Sequence, residues 1–254
     1  MNILRVVIAH KDFEWNDLPE EELKSYQVFT PNSIKTNISN VTKFEEVTGY
    51  DNRIYSELSH LKYIRDNISN FDWIHINHYR RRLIVPNYNN FYCADPLILI
   101  KTNKEFYEIY HNVNDLNIMT DIIQEKLSSN FQIEWIKLLN NNYMIPYNMV
   151  SISKEVFYEW IDISTMLIDE FKKRRNFYNY EQIKKYIETH QKEYSHCNDG
   201  SERIQYNIRV FAYLWERITS MYFQVYAKFH NNLPFIKMPI LPAFVKLLDK
   251  HQEI

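Results

Sequence analysis

The chain has 254 residues, 45% of them hydrophobic, and carries 30 Lys and Arg against 32 Asp and Glu for a formal net charge of −2. That length suits one globular domain with at most a small accessory part, and the balanced charge excludes the global positive field that holds DNA or RNA by counterion release, so no nucleic-acid partner is expected. The longest apolar runs, such as Val6–Ala9 and Leu97–Ile100, fall far short of the roughly 20 residues that span a bilayer.

The first ten residues hold one Arg and a short apolar patch, then meet Lys11, Asp12 and Glu14 with no small-residue cleavage site, which reads as the first strand of a cytoplasmic protein. Cys93 and Cys197 are the only cysteines, too few for a disulfide framework or a Cys-based zinc site. Gly49 and Gly200 are the only glycines. Glycine-rich phosphate loops are thereby excluded, and a bound nucleotide must be met by side chains and helix N-termini.

In chain order, Ile3–Ala9 is a β-branched run suited to a central strand, with His10, Lys11 and Asp12 at its carboxyl end. Residues 18–48 read as loop with one short helix at 20–26. Asp51 or Asn52 can cap a helix whose apolar positions Ile54, Leu58, Leu61, Ile64 and Ile68 repeat at three and four residues. Residues 71–78 form a strand, from which His78, Tyr79, Arg80, Arg81 and Arg82 emerge. Loop at 86–92 and a short strand at 96–100 precede helices over 104–110, 116–127 and 131–139. A strand is expected over 144–152, then a helix capped by Ser153 with Val156, Trp160, Ile163, Leu167 and Phe171 on one face, and another over 180–190. After a turn at 199–201, residues 204–218 have helical spacing and 221–229 look β-rich. The tail should be extended, then briefly helical. Strands alternating with helices predict an α/β fold: a mixed, mainly parallel sheet flanked by helices, with its ligand crevice beyond the strand carboxyl ends. Residues 1–232 make a single domain, and the tail 233–254 rests on it or on a membrane surface.

Three adjacent guanidiniums after a buried strand can surround a polyanion, because their forks match phosphate and stay charged at working pH. A solvated charge run is the bland alternative. His10 and Lys11 end the first strand, where a nucleotide could also be met. Asp95, before Pro96, can accept from a sugar hydroxyl or fix a turn. Glu216, among aromatic and aliphatic residues, can serve as a general base or pair with Arg209 or Arg217. No H-E-x-x-H spacing exists, and no Asp-x-Asp follows the strand ending at His78, so no metal ligand is assigned.

Taken in order, these segments resemble a bacterial family of capsular and exopolysaccharide biosynthesis glycosyltransferases. The matching motifs are Ala9-His10-Lys11, Asp51-Asn52, Tyr55-Ser56-Glu57-Leu58-Ser59, His78-Tyr79-Arg80-Arg81, Ala94-Asp95-Pro96, Tyr147-Asn148-Met149 and the run Arg209–Arg217. Departures are Ala212 in place of Gly, bulky Trp215 in place of a small residue, and Arg82 in place of an aromatic.

The resemblance implies a GT-A-like, Rossmann-like fold and transfer of a hexose from a nucleotide-sugar donor, a UDP-sugar, to a glycan or lipid-linked glycan acceptor. In that scheme Arg80 and Arg81 neutralise the diphosphate, His10 and Lys11 stand at the nucleotide side, His78 orients donor oxygens or ligates a metal, and Tyr79 belongs to the same donor-binding set. Glu57 and Asp95 position the sugar or an arginine, and Glu216 is the base. GT-A enzymes usually hold a divalent metal, Mn or Mg, where cationic side chains stand here; no other cofactor is implied. Work on lipid-linked acceptors would place the protein in the cytoplasm or at the inner face of the membrane. The alternative is a non-catalytic carbohydrate-binding or assembly module of a polysaccharide system, its tyrosines stacking on sugars.

Overall fold

The structure is a computed structural model and describes residues 1–44, 51–88, 90–146, 148–190, 193–194, 204, 207–229 and three short tail strands. In chain order the strands are β1 (Ile3–Ile8), β2 (Glu14–Trp15), β3 (Tyr26–Thr30), β4 (Asn40–Lys43), β5 (Trp73–His78), β6 (Arg81–Leu83), β7 (Tyr92–Ala94), β8 (Leu97–Ile98), β9 (Tyr143–Met144), β10 (Val150–Ser153), β11 (Ile236–Met238), β12 (Ile240–Pro242) and β13 (Val245–Lys246). The described helices are α1 (Glu20–Leu23), α2 (Asn52–Tyr55), α3 (Glu57–Asn67), α4 (Asn103–Tyr110), α5 (Val113–Lys126), α6 (Ser129–Asn140), α7 (Lys154–Arg175), α8 (Tyr180–Thr189) and α9 (Val210–Phe229).

One sheet carries the fold, in the order β4-β3-β1-β5-β10-β7-β11. Strands β4, β3, β1 and β5 are mutually parallel, and β10 runs antiparallel to both β5 and β7. Every residue of β5 is buried, as a central strand covered on both faces requires. β1 shows the period of two: Val6 and Ile8 join the larger core, while Val7 and Ala9 join a smaller one with Phe13, Trp15 and Tyr79. Helices cover the larger side, where Trp160 of α7 stacks on Trp215 of α9 with centroids 5.5 Å apart.

The chain runs outward from β1 through β3 to β4, then crosses back to β5 on β1's other side. That reversal makes the carboxyl ends of β1 and β5 a topological switch point, the place where ligands bind in open α/β sheets. The register pairs Ile8 with His78, so the residues after both strands emerge side by side.

Several sequence expectations are corrected. Residues 18–48 contain β3 and β4 besides the short helix, because Val28 and Phe29 are buried against β1. The helix expected after Asp51 is two helices broken at Ser56, and the strand expected over 144–152 is two short strands. Residues 221–229 continue α9, since Met221, Tyr222, Phe223 and Val225 are buried at helical spacing and tertiary packing overrides local β propensity. In the tail, β11 extends the sheet beside β7, β12 pairs with β6, and β13 pairs with β2. The brief helix expected there lies outside the described residues. Among those described, no helix is long and apolar enough to cross a membrane.

Candidate functional site

The hydrogen bonding of β1 and β5 continues one residue past the strands, with the Tyr79 amide donating to the Ile8 carbonyl at 3.1 Å. Trp15 fixes the far side of this turn, its indole N–H donating to the Tyr79 carbonyl at 2.7 Å. His10 and Tyr79 therefore meet: their rings lie 5.0 Å apart, edge to face, with Tyr79 Oη 3.4 Å from His10 Nε2. The His78 ring is 4.4 Å from that of Tyr79 and 6.3 Å from that of His10.

The backbone N–H of Arg80 donates to His78 Nδ1 at 3.2 Å, which in a neutral ring leaves the proton on Nε2. Burial is the main influence holding His78 down to about 3; the Glu57 charge opposes it, while Arg80, His10 and Arg81 reinforce it. Burial likewise lowers His10 to about 4 against the pull of Glu57, with His60, Arg209 and Lys11 adding to the fall. Both imidazoles are neutral at pH 7 and offer hydrogen bonds without charge.

The second wall begins at Ser56, the junction of α2 and α3, with φ 50° and ψ −130°. A side chain in that region ordinarily costs about 1–3 kcal/mol, and glycine is the usual occupant. Surrounding bonds hold the conformation. The Ser56 carbonyl accepts from the Ser59 amide at 3.2 Å and the Ser59 hydroxyl at 2.8 Å, and a ring nitrogen of His60 lies 3.3 Å away. The other His60 nitrogen lies 3.3 Å from the Ala9 carbonyl, tying this junction to the end of β1. Ser56 Oγ accepts from Arg209 Nη2 at 2.7 Å.

Glu57, the first residue of α3, is half-buried. Burial works against its charge, but His78, charged only in acid where the carboxyl itself titrates, together with Arg209, the Glu57 backbone N–H and the Ser56 hydroxyl, outweighs that and keeps the carboxyl below its ordinary range. Glu216 on α9 behaves oppositely. Burial, joined by the like charge of Glu57, pushes it up to about 7 against Arg217 and Arg209. Two carboxyls in mutual electrostatic contact thus have their proton affinities driven apart, the condition for one fixed charge and one acid–base group.

The other expected site residues divide. Arg80 is exposed, its guanidinium 5.3 Å from the Tyr79 ring, and Lys11 is exposed beside His10. Arg81 opens β6, in register opposite His78, and is half-buried. Arg82 does not join an anion cradle. It is buried, ion-paired to Asp17 and 5.6 Å from the Trp15 ring, because alternation along β6 sends neighbouring side chains to opposite faces. Asp95 stands exposed past β7, separated from β5 by β10. Sequence reading gave Ser56 no role and Arg209 only a pairing option for Glu216. The backbone angle that makes Ser56 unusual leaves no trace in residue type, and Arg209 becomes visible only once α9 lies against α2. Among the described residues no three His, Cys, Asp or Glu side chains gather as a metal site.

With this geometry in hand, comparison with known proteins gives three findings. Residues 82–195 match the model of a domain of unknown function, DUF4422. No curated protein matches the chain. The fold is similar to that of the WbbM bifunctional glycosyltransferase in its apo structure, with a TM-score of 0.66 and 13% identity over 96% of this chain and 46% of that one. The chain thus spans about half the length of that protein, and the likeness shows the fold: a GT-A-like α/β architecture with a mixed, mainly parallel sheet flanked by helices.

Proposed function

We propose that the protein is a glycosyltransferase that moves a sugar from a nucleoside diphosphate donor, UDP-linked, to a growing surface polysaccharide or lipid-linked glycan. The observation that carries this reading is the grouping that starts from the carboxyl ends of β1 and β5: Glu57 acts on both His10 and His78 and on Glu216, which is lifted to about 7, while Lys11, Arg80 and Arg81 follow the same two strands. Fold likeness to a glycosyltransferase supports it.

In this mechanism the charges of Arg80, Arg81 and Lys11 stabilise the departing diphosphate, where negative charge grows in the transition state. His10 and His78 donate to donor oxygens, and Tyr79 holds the two rings in place. Glu57 accepts from a sugar hydroxyl. Glu216 takes the proton of the acceptor hydroxyl as the new glycosidic bond forms, a task suited to a base titrating near the working pH. Asp95 stands further along the same sheet edge, on the acceptor side. Residues 1–232 act as the transfer domain, and the tail 233–254 secures it, the whole working at the cytoplasmic face of the membrane.

A panel of nucleotide sugars tests this by thermal shift and by transfer to glycan acceptors. Saturable stabilisation by a UDP-sugar together with transfer is expected; glycan binding with no donor binding would instead identify a carbohydrate-binding module. Treatment with EDTA is expected to leave transfer intact. Loss restored by Mn²⁺ or Mg²⁺ would assign the diphosphate to a metal in place of the arginines.

A further inference from the structure

We propose that Ser56 and Arg209 form a clamp that joins the α2–α3 junction to the start of α9 and so positions Glu57 and Glu216 against each other. The inference rests on reading this switch point as the transfer site and adds two positioning residues to it. Its basis is the 2.7 Å bond from Arg209 Nη2 to Ser56 Oγ, made between residues far apart in the chain.

Three observations converge on it. The first is local conformation: Ser56 sits where glycine is favoured, and such strain persists at positions that the surrounding structure over-determines, often at functional sites. A hydroxyl kept there despite the backbone cost has a use, and the bond to Arg209 supplies one. The second is helical geometry. Arg209 immediately precedes α9, and Glu216 follows seven residues later, two turns along and on the same face. Fixing Arg209 therefore fixes how α9 presents Glu216. The third is packing: the Tyr55 ring, next to Ser56, lies 4.7 Å from the ring of Phe211, so the bond spans two elements already in contact.

The charged and titratable groups around the clamp are consistent with this role. His78 and Arg209 act on Glu57, while Glu57, Arg217 and Arg209 act on Glu216. His60 ties the same junction to Ala9, and His10 adjoins it from β1. Without the clamp, the guanidinium that faces both carboxylates loses its anchor, and the separation in their proton affinities narrows.

Two variants separate hydroxyl from backbone. Ser56→Ala and Ser56→Gly both remove the hydroxyl, but only Ser56→Gly relieves the positive φ. Each is expected to lower kcat about 10- to 100-fold, the share of one hydrogen bond to a charged group, with KM little changed. Ser56→Gly should melt at a higher temperature than Ser56→Ala. In an Arg209→Met background each serine variant should reduce kcat by a smaller factor than it does with Arg209 present, since only the Ser56 hydroxyl's bond to Glu57 is left to lose.

Wild-type kcat in either serine variant, equal losses with and without Arg209, or Ser56→Gly melting below Ser56→Ala would overturn the proposal. A readout independent of transfer is the side-chain NMR of Arg209 in the full chain. Slow guanidinium rotation is expected in wild type and fast rotation in Ser56→Ala; fast rotation in both would also overturn it. If no donor is ever turned over, the transferase reading falls while the melting and NMR comparisons still decide the clamp.

Discussion

Arg80 and Arg82 are two positions apart and have opposite fates. Arg80 is exposed against the Tyr79 ring, whereas Arg82 is buried with Asp17. Arg80→Ala should therefore lower turnover by orders of magnitude while the melting temperature stays at the wild-type value. Arg82→Ala should instead destabilise the fold by about 3 kcal/mol, the cost of stranding a partly buried carboxylate. Chemical denaturation alongside a transfer assay reads both, and the reverse pattern would exchange the two assignments. The run of three arginines was legible as a feature, but the burial of Arg82 with Asp17 was not. That depends on β6 turning back along β5, and nothing in residue type at 80–82 announces the turn.

At the scale of elements, the sequence was informative where one face is apolar over several turns. The α7 helix runs from Lys154 with Ser153 as its cap, as its spacing predicts, and β1 and β5 stand where their β-branched or aromatic runs place them. Short strands such as β3 and β4 were hidden, since a strand of four or five residues between polar loops acquires its identity from its neighbours. Residues 221–229 read as strand for the same reason, aromatic content outweighing a helical period that burial later decides. The elements after β7 are pinned by Asn103, whose side-chain amide donates to the carbonyls of Leu138, Asn141 and Tyr143 at 2.8–3.2 Å. Asn103→Ala leaves these carbonyls without that donor and should cost about 2–3 kcal/mol. Urea denaturation measures it, and a change below 0.5 kcal/mol, the usual scale of neutral surface changes, would mean other donors take its place.

The whole molecule should lose stability in mild acid. His75 and His111 are buried, and both are held down to about 3: burial comes first in each, reinforced by Arg5 for His75 and by Arg217 for His111. Their folded pKa lies below the unfolded value near 6.5, so the unfolded state binds more protons between these limits, and stability falls as pH drops through that window. Each such histidine contributes about 1.4 kcal/mol per pH unit below roughly 6.5. Asp115 and Glu216, both pushed up to about 7 chiefly by burial, act in the opposite sense, so the histidine share is isolated by a variant. His75→Gln should flatten the decline between pH 6 and 4 by about that slope; an unchanged slope would show that His75 is protonated in the folded state. At this scale the sequence anticipated the mainly parallel sheet flanked by helices, because alternating strands and helices leave few topologies. The pairing of Glu57 with Glu216 could not be anticipated, since it depends on α9 packing beside the α2–α3 junction.

The proposed mechanism turns on Glu216, raised by burial and by Glu57, as the acceptor of the proton during sugar transfer. Its most direct test is the pH dependence of kcat/KM for transfer from a UDP-sugar by wild type and by Glu57→Gln. A base must be deprotonated to act, so the wild-type rate should climb with pH and level off above about 7. In Glu57→Gln the rising limb should move to lower pH, because the like charge that lifts Glu216 is gone. A limb that stays in place when Glu57 is neutralised, or that persists in Glu216→Gln, would contradict the account.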